Sequence, residues 1–149
     1  MSDRRPIPHI HFTVQSGVYA AREASARLMV GLEPLELDIK EAGTVELVMA
    51  EALNNIVEHG YPDPENGGPI SVYCEHGSTG LNIKLVDKGL PMPNGQTPIG
   101  LVADTDVDLK DMPEGGFGWF IIKTLAKDVV YSRVNAVNLL DLRIAIALD

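Results

Sequence analysis

Residues 51–61 read Glu-Ala-Leu-Asn-Asn-Ile-Val-Glu-His-Gly-Tyr, and the run before them carries Val45, Val48 and Met49. With Ala52, Leu53 and Ile56 these residues recur at the spacing of one helical face. That spacing predicts a long helix from about Leu37 to His59 with a buried seam. Gly60 and Pro62 supply its stop signals. Glu51, Asn55 and His59 stand at i, i+4 and i+8, each turned about 40° from the last. They form a polar stripe along one edge of the apolar face, drifting inward toward His59, while Asn54 faces solvent. An acid and an amide beside a core seam are placed to coordinate a cation or orient a water. The same stripe also reads as a solvated helix edge whose C-terminal histidine favours the helix dipole.

The neighbouring segments build a sheet around this helix. Residues 7–14 read as a first strand. Residues 18–32 read as a helix capped by Ser16, interrupted at Glu33 and Pro34. After the turn-formers at 63–69 come two strands, Ile70–Cys74 and Leu81–Val86, parted by a Gly-containing loop as in an antiparallel pair. Residues 87–118 then hold six of the 14 glycines and four of the 10 prolines, so they predict a long functional loop and no regular element. A helix over residues 119–128 follows, then strands at Val129–Arg133 and Leu139–Ala147. The order β-α-α-β-β-loop-α-β-β predicts an α+β two-layer sandwich: a mixed, mostly antiparallel sheet covered by helices on one face.

The chain of 149 residues is of one-domain size. Twelve basic and 21 acidic residues give a net charge of −9, which disfavours nucleic acid and anionic membrane as partners. No apolar run reaches the ~18–20 residues of a membrane span, and residues 1–12 show no signal-peptide pattern. Cys74 stands alone, which excludes an internal disulfide framework. A cytoplasmic globular protein is expected.

Two glycine-bearing stretches flank the long loop. Asp87-Lys88-Gly89 follows directly on a strand, where a carboxylate can face a pocket while the backbone approaches a ligand closely; it reads equally as a β-turn. Gly115-Gly116-Phe117-Gly118 opens a helix, where free N–H groups and the helix dipole suit an anion. No Gly-Lys-Ser/Thr follows, so it is not a P-loop. His9 and His11 share one strand face, which is half a metal site at most. Trp119, Phe120 and Tyr61 read as packing residues. Residues 104–115 fail as a calcium loop, because Leu109 stands where glycine is required and Gly115 where glutamate is.

These stretches, in this order, resemble the three motifs of the GHKL ATPase superfamily. Residues 51–61 are similar to its N box, 87–91 to its first glycine box and 114–125 to its second. The Asn-x-x-x-His-Gly-Tyr ending and the lack of a phosphoacceptor-helix region narrow the resemblance to the anti-sigma-factor serine kinases of bacteria, the RsbW-like group. It covers nearly the whole of residues 1–149 as a single domain.

The resemblance implies a Bergerat-type, histidine-kinase-like ATPase fold that binds ATP and Mg²⁺. Glu51 then matches the general base that takes a serine proton, and Asn55 the Mg²⁺ ligand. Asp87 matches the partner of the adenine amino group, with Gly89 beside it. Gly115, Gly116, Phe117 and Gly118 match the phosphate-cradling turn, and residues 92–114 the ATP lid. Arg22 falls where the family's first helix carries an arginine near the phosphates, whereas nothing in the spacing singles out Lys110 or Lys123. The implied function is an anti-sigma factor with serine protein kinase activity and no direct nucleic-acid contact: it would phosphorylate a STAS-domain antagonist, sequester a sigma factor and act as a homodimer. A binding module without phosphotransfer, or a stand-alone ATP-binding half of a histidine-kinase-like system, are the alternatives. Three departures stand out. Pro91 replaces a second glycine, the lid carries Asp104, Asp106, Asp108, Asp111 and Glu114, and the last strand lacks the Gly-Thr of many members, so Asn138 is assigned no adenine contact.

Overall fold

The computed structural model describes residues 7–92 and 116–146, with the backbone alone at Gly116 and Phe117. Strand β1 (Ile10–Gln15) leads into helices α1 (Ala20–Leu32) and α2 (Ile39–Asn55), which are joined by a 3₁₀ turn at Glu33–Leu35. A π-helical turn, Ile56–Gly60, extends α2. Strands β2 (Pro69–Gly77) and β3 (Gly80–Asp87) follow, then α3 (Gly116–Leu125), β4 (Lys127–Val134) and β5 (Val137–Ile144). The expected order of elements is the observed one.

The five strands lie in the order β1-β2-β3-β5-β4. Every described pairing is antiparallel, so the mostly antiparallel sheet expected from the sequence holds without the parallel pair that "mixed" allowed. The reason lies in the connection between β1 and β2. Two successive helices carry the chain out and back, so β2 begins beside the end of β1, with Gln15 opposite Pro69.

Alternation along the strands sends one side chain in two to the core. Phe12 and Val14, Ile70 and Val72, and Leu81, Ile83 and Leu85 are all buried on that face, as are Leu140, Leu142 and Ile144. The helices cover it with Ala24, Leu28 and Leu32 of α1, Val45, Val48, Met49, Ala52 and Leu53 of α2, and Trp119 and Ile122 of α3. The opposite sheet face stays open, with His11 stacked on Tyr73 across β1 and β2 at a ring separation of 4.2 Å. Neither His11 nor His9, which pairs with Glu75 at 2.8 Å, has a metal-binding arrangement among the described residues.

Two helix starts differ from expectation. Ser16 does not cap α1; Tyr19 occupies that position without a side-chain bond. Ser16 instead ties the end of β1 to the residue before β2: its N–H donates to Gly68 O, and its Oγ accepts from Gly68 N–H, both at 2.9 Å. Helix α2 has a full capping box. Asp38 Oδ1 accepts from Glu41 N–H at 2.7 Å, and Glu41 Oε1 accepts from Asp38 N–H at 3.0 Å. Such a cap contributes about 1 kcal/mol and sets the start of the helix that carries Glu51 and Asn55. Among the described residues no helix is long and apolar enough to cross a membrane.

Candidate nucleotide site

The core seam of α2 brings its polar edge to the site. Asn55 is only 4% exposed, whereas Glu51 and His59 are half-buried. The Asn55 side chain donates through Nδ2 to Glu51 O at 2.8 Å. A carbonyl can only accept, so the amide nitrogen must face it and Oδ1 is the group left for a ligand.

The π turn then changes the helical phase. Tyr61 N–H reaches back to Ile56 O and Val57 O, each at 3.3 Å. With the wider turn, Gly60 comes to the cavity wall beside Asn55 and Ile56, and His59 does not line it. This corrects the inward drift toward His59, which assumes a constant 3.6-residue period. Inserted π turns of this kind are common at functional sites.

Gly60 meets the second predicted stretch. Its carbonyl accepts from Leu90 N–H at 2.8 Å. A β-carbon on Gly89 would stand 2.3 Å from Gly60 O, so only glycine allows this approach. Asp87 lies just before it. The alternation that buries Leu81, Ile83 and Leu85 places Asp87 next on the inner face, and it is 5% exposed. Its Oδ1 accepts from Gly89 N–H at 2.9 Å and from Asn138 Nδ2 at 2.8 Å. Burial pushes the Asp87 carboxyl up; the Asn138 and Gly89 hydrogen bonds and the Arg133 charge oppose that rise.

Helix α3 closes the third side. A β-carbon on Gly118 would stand 2.7 Å from Glu51 Oε2 and 3.1 Å from Asn55 Nδ2. The glycine-opened helix thus lies directly against the two polar residues of α2. Gly116 begins α3, while Gly115 and residues 93–114, including the five lid acids and Lys110, lie outside the described residues, as does the Phe117 side chain.

A cavity sits between these elements, walled by Ile56, Leu90, Met92, Trp119, Tyr131 and Leu140, with Asn55, Asp87 and Asn138 as its polar lining. Its volume of about 20 Å³ suits a single water.

Tyr61 is the packing residue expected. Its hydroxyl donates to Pro69 O at 2.9 Å and accepts from Lys88 N–H at 2.8 Å. Burial raises the phenol, the Lys88 bond opposes this, and the Asp87 charge adds to it. Trp119 both packs in the core and walls the cavity. Arg22 is exposed in a separate groove between α1 and α2, beside Ser25, Met29 and Glu46. Lys123 is half-buried on α3, and burial pushes its ammonium down; it does not line the cavity. Tyr131 and Arg133 are missed from the sequence, which names Asn138 only to assign it no adenine contact. The inward alternation of Leu140, Leu142 and Ile144 is the signal that places Asn138 on the same face.

The histidine kinase-like ATPase domain family matches residues 15–144, and the chain belongs to that family. Two curated relatives are the serine-protein kinases RsbW of Staphylococcus aureus strains bovine RF122 / ET3-1 and MRSA252. Each is 30% identical over 104 residues, covering 68% of this chain and 63% of the relative. The match thus spans less than two thirds of those relatives' length. Among solved structures, the RsbU and RsbW domains of Rv1364c from Mycobacterium tuberculosis superpose with a TM-score of 0.65 at 18% identity, covering 96% of this chain and 34% of that one. That likeness shows the fold.

Proposed function

We propose that this chain is an ATP-dependent serine protein kinase of the RsbW type, binding Mg·ATP and acting as an anti-sigma factor. The observation that carries the reading is the meeting of Glu51 and Asn55 at Gly118, with Asp87 buried in the same cavity wall system. Asp87 Oδ2 is the carboxylate oxygen left to accept from an adenine amino group, since Oδ1 already takes two donors. The base would displace Leu90, Met92 or Trp119 on entry.

Asn55 Oδ1 would hold Mg²⁺, a hard cation that takes oxygen ligands and draws most of them from phosphates and water. Bound there, the ion would neutralise charge on the phosphate oxygens. The serine oxygen of a protein substrate bonds to the γ-phosphorus as the bond to the ADP oxygen breaks, and Glu51 accepts the hydroxyl proton. The N–H groups at the start of α3 suit the phosphates electrostatically. A STAS-domain antagonist as the phosphorylated partner, a sequestered sigma factor, a homodimeric state and a cytoplasmic location complete the proposal.

Calorimetric titration with a non-hydrolysable ATP analogue, with and without Mg²⁺, tests the pocket. Magnesium-dependent binding followed by phosphoserine formation on a STAS-domain protein is the expected result. Binding without phosphotransfer would leave a partner-binding module, and no binding at millimolar nucleotide would overturn the reading.

A further inference from the structure

Asn138 is the register partner of Asp87 across β3 and β5. Both continue apolar inward rows, and both are almost wholly buried. A buried amide needs its donors and acceptor satisfied, and Asn138 has found protein partners for all of them. Nδ2 donates to Asp87 Oδ1 at 2.8 Å and to Leu90 O at 2.9 Å, with Gly89 O further off at 3.3 Å. Oδ1 accepts from Arg133 Nη1 at 2.7 Å and from the Tyr131 hydroxyl. Arginine can only donate, so the amide has one possible orientation, with its nitrogen toward Asp87.

We propose that Asn138 is the positioning residue of the base pocket, locking Asp87 Oδ1 in protein hydrogen bonds so that Oδ2 alone is presented to a ligand N–H. This rests on the nucleotide-binding reading above. Asn138 has no hydrogen-bonding capacity left for a base, so it acts through Asp87. The same amide ties down the chain leaving the pocket, since it holds Leu90 O while Tyr131 accepts from Met92 N–H at 3.0 Å. Selectivity for an amino-bearing purine then depends on a residue that never touches it. Among the described residues, the titratable and charged groups around Asp87 are Arg133 and Tyr131 of β4, both reaching Asn138, and the Tyr61 phenol after α2.

The test compares wild type with Asn138→Leu, which keeps bulk and removes the amide, and with Asn138→Thr, which restores one donor. Affinities are measured for ATP and for purine riboside triphosphate, which lacks the 6-amino group. In Asn138→Leu the preference for ATP should fall about tenfold toward unity, with the amino-free analogue bound as in wild type within about twofold. Asn138→Thr should recover part of the preference. Equal loss of both nucleotides in a folded Asn138→Leu protein would overturn the proposal, as would an unchanged preference. If Asn138→Leu fails to fold, Asn138→Ala is read in its place, and a preference indistinguishable from wild type combined with an unmoved Asp87 titration overturns it.

The second readout needs no nucleotide. The Asp87 carboxyl carbon, assigned by its loss in Asp87→Asn, is followed by NMR against pH. It should titrate at higher pH once the Asn138 hydrogen bond is removed, and an unmoved titration overturns the positioning role. If wild type binds no nucleotide while this shift occurs, the nucleotide reading has failed and the positioning of Asp87 has not.

Discussion

Gly118 lies against the carboxylate of Glu51, with room between them for hydrogen but not for a methyl group: a β-carbon would stand 2.7 Å from Oε2. The obstructing atom is the far end of a flexible side chain, so Glu51 can swing away while the backbone stays. Alanine is also the better helix former, by up to about 1 kcal/mol. Gly118→Ala should therefore leave the thermal midpoint unchanged or raised, yet lower phosphotransfer at least about tenfold by displacing the base. Thermal unfolding and a phosphoserine assay on the same preparation check the two halves.

Glu51 and Asn55 are neighbours to which the proposed function gives separable tasks. Glu51→Gln should bind Mg·ATP within about twofold of wild type and lose about 10²–10⁴ in phosphotransfer. Asn55→Ala should lose the Mg²⁺ dependence of ATP binding, with a stability cost of about 1 kcal/mol for the missing bond to Glu51 O. Calorimetry with and without Mg²⁺, beside the kinase assay, distinguishes the two. Retained Mg²⁺ dependence in Asn55→Ala would remove it as the ligand.

Asp87 should give opposite pH trends in stability and binding. Burial raises its carboxyl above the ordinary aspartate value of about 3.9, so the native state holds the proton more tightly than the unfolded chain. Between those two values stability from this group declines as pH rises, and it is greatest below both. Asp87→Asn should accordingly gain in urea midpoint relative to wild type on going from pH 4 to pH 7.5. On the proposed function the carboxylate is the acceptor for the base, so wild-type ATP affinity should fall on acidification through the raised value. A flat difference in urea midpoint between the two proteins would contradict the assignment.

The β4–β5 hairpin carries strain at its turn, one register pair beyond Arg133 and Asn138. Val134 pairs with Val137 around a two-residue turn in which Asn135 has φ 52° and Ala136 φ 65°. Asparagine tolerates this left-handed region and alanine does not. Ala136→Gly should stabilise the fold by about 1 kcal/mol, a rise of roughly 2–4 °C in Tm for a chain of this size, with ATP binding unaltered. Differential scanning calorimetry measures it.

Much of this site is legible in the residues because local spacing carries it. The seam Val45, Val48, Met49, Ala52, Leu53 and Ile56 places Glu51 and Asn55 on one edge of α2, and the alternation Leu81, Ile83, Leu85 ends on Asp87. Both patterns depend on the covalent chain and a fixed period, so they can be read without knowing what packs against them. The capping box at Asp38 and Glu41 is equally local, although the apolar spacing there marks only a helix start. Ser16 misled because its preference for a helix cap competes with a strand splice 52 residues away, to Gly68.

Local residue patterns set the elements, their buried faces and the polar residues at their ends. The tertiary structure decided which of those ends meet. Asn138 opposite Asp87 is a consequence of strand register, Gly118 against Glu51 of how α3 packs on α2, and Gly60 in place of His59 of one π turn that breaks the helical period. Each is a relation between segments distant in the chain or a departure from a regular repeat. Such relations are set by the shared core that packs around them, and no local pattern of residues encodes them.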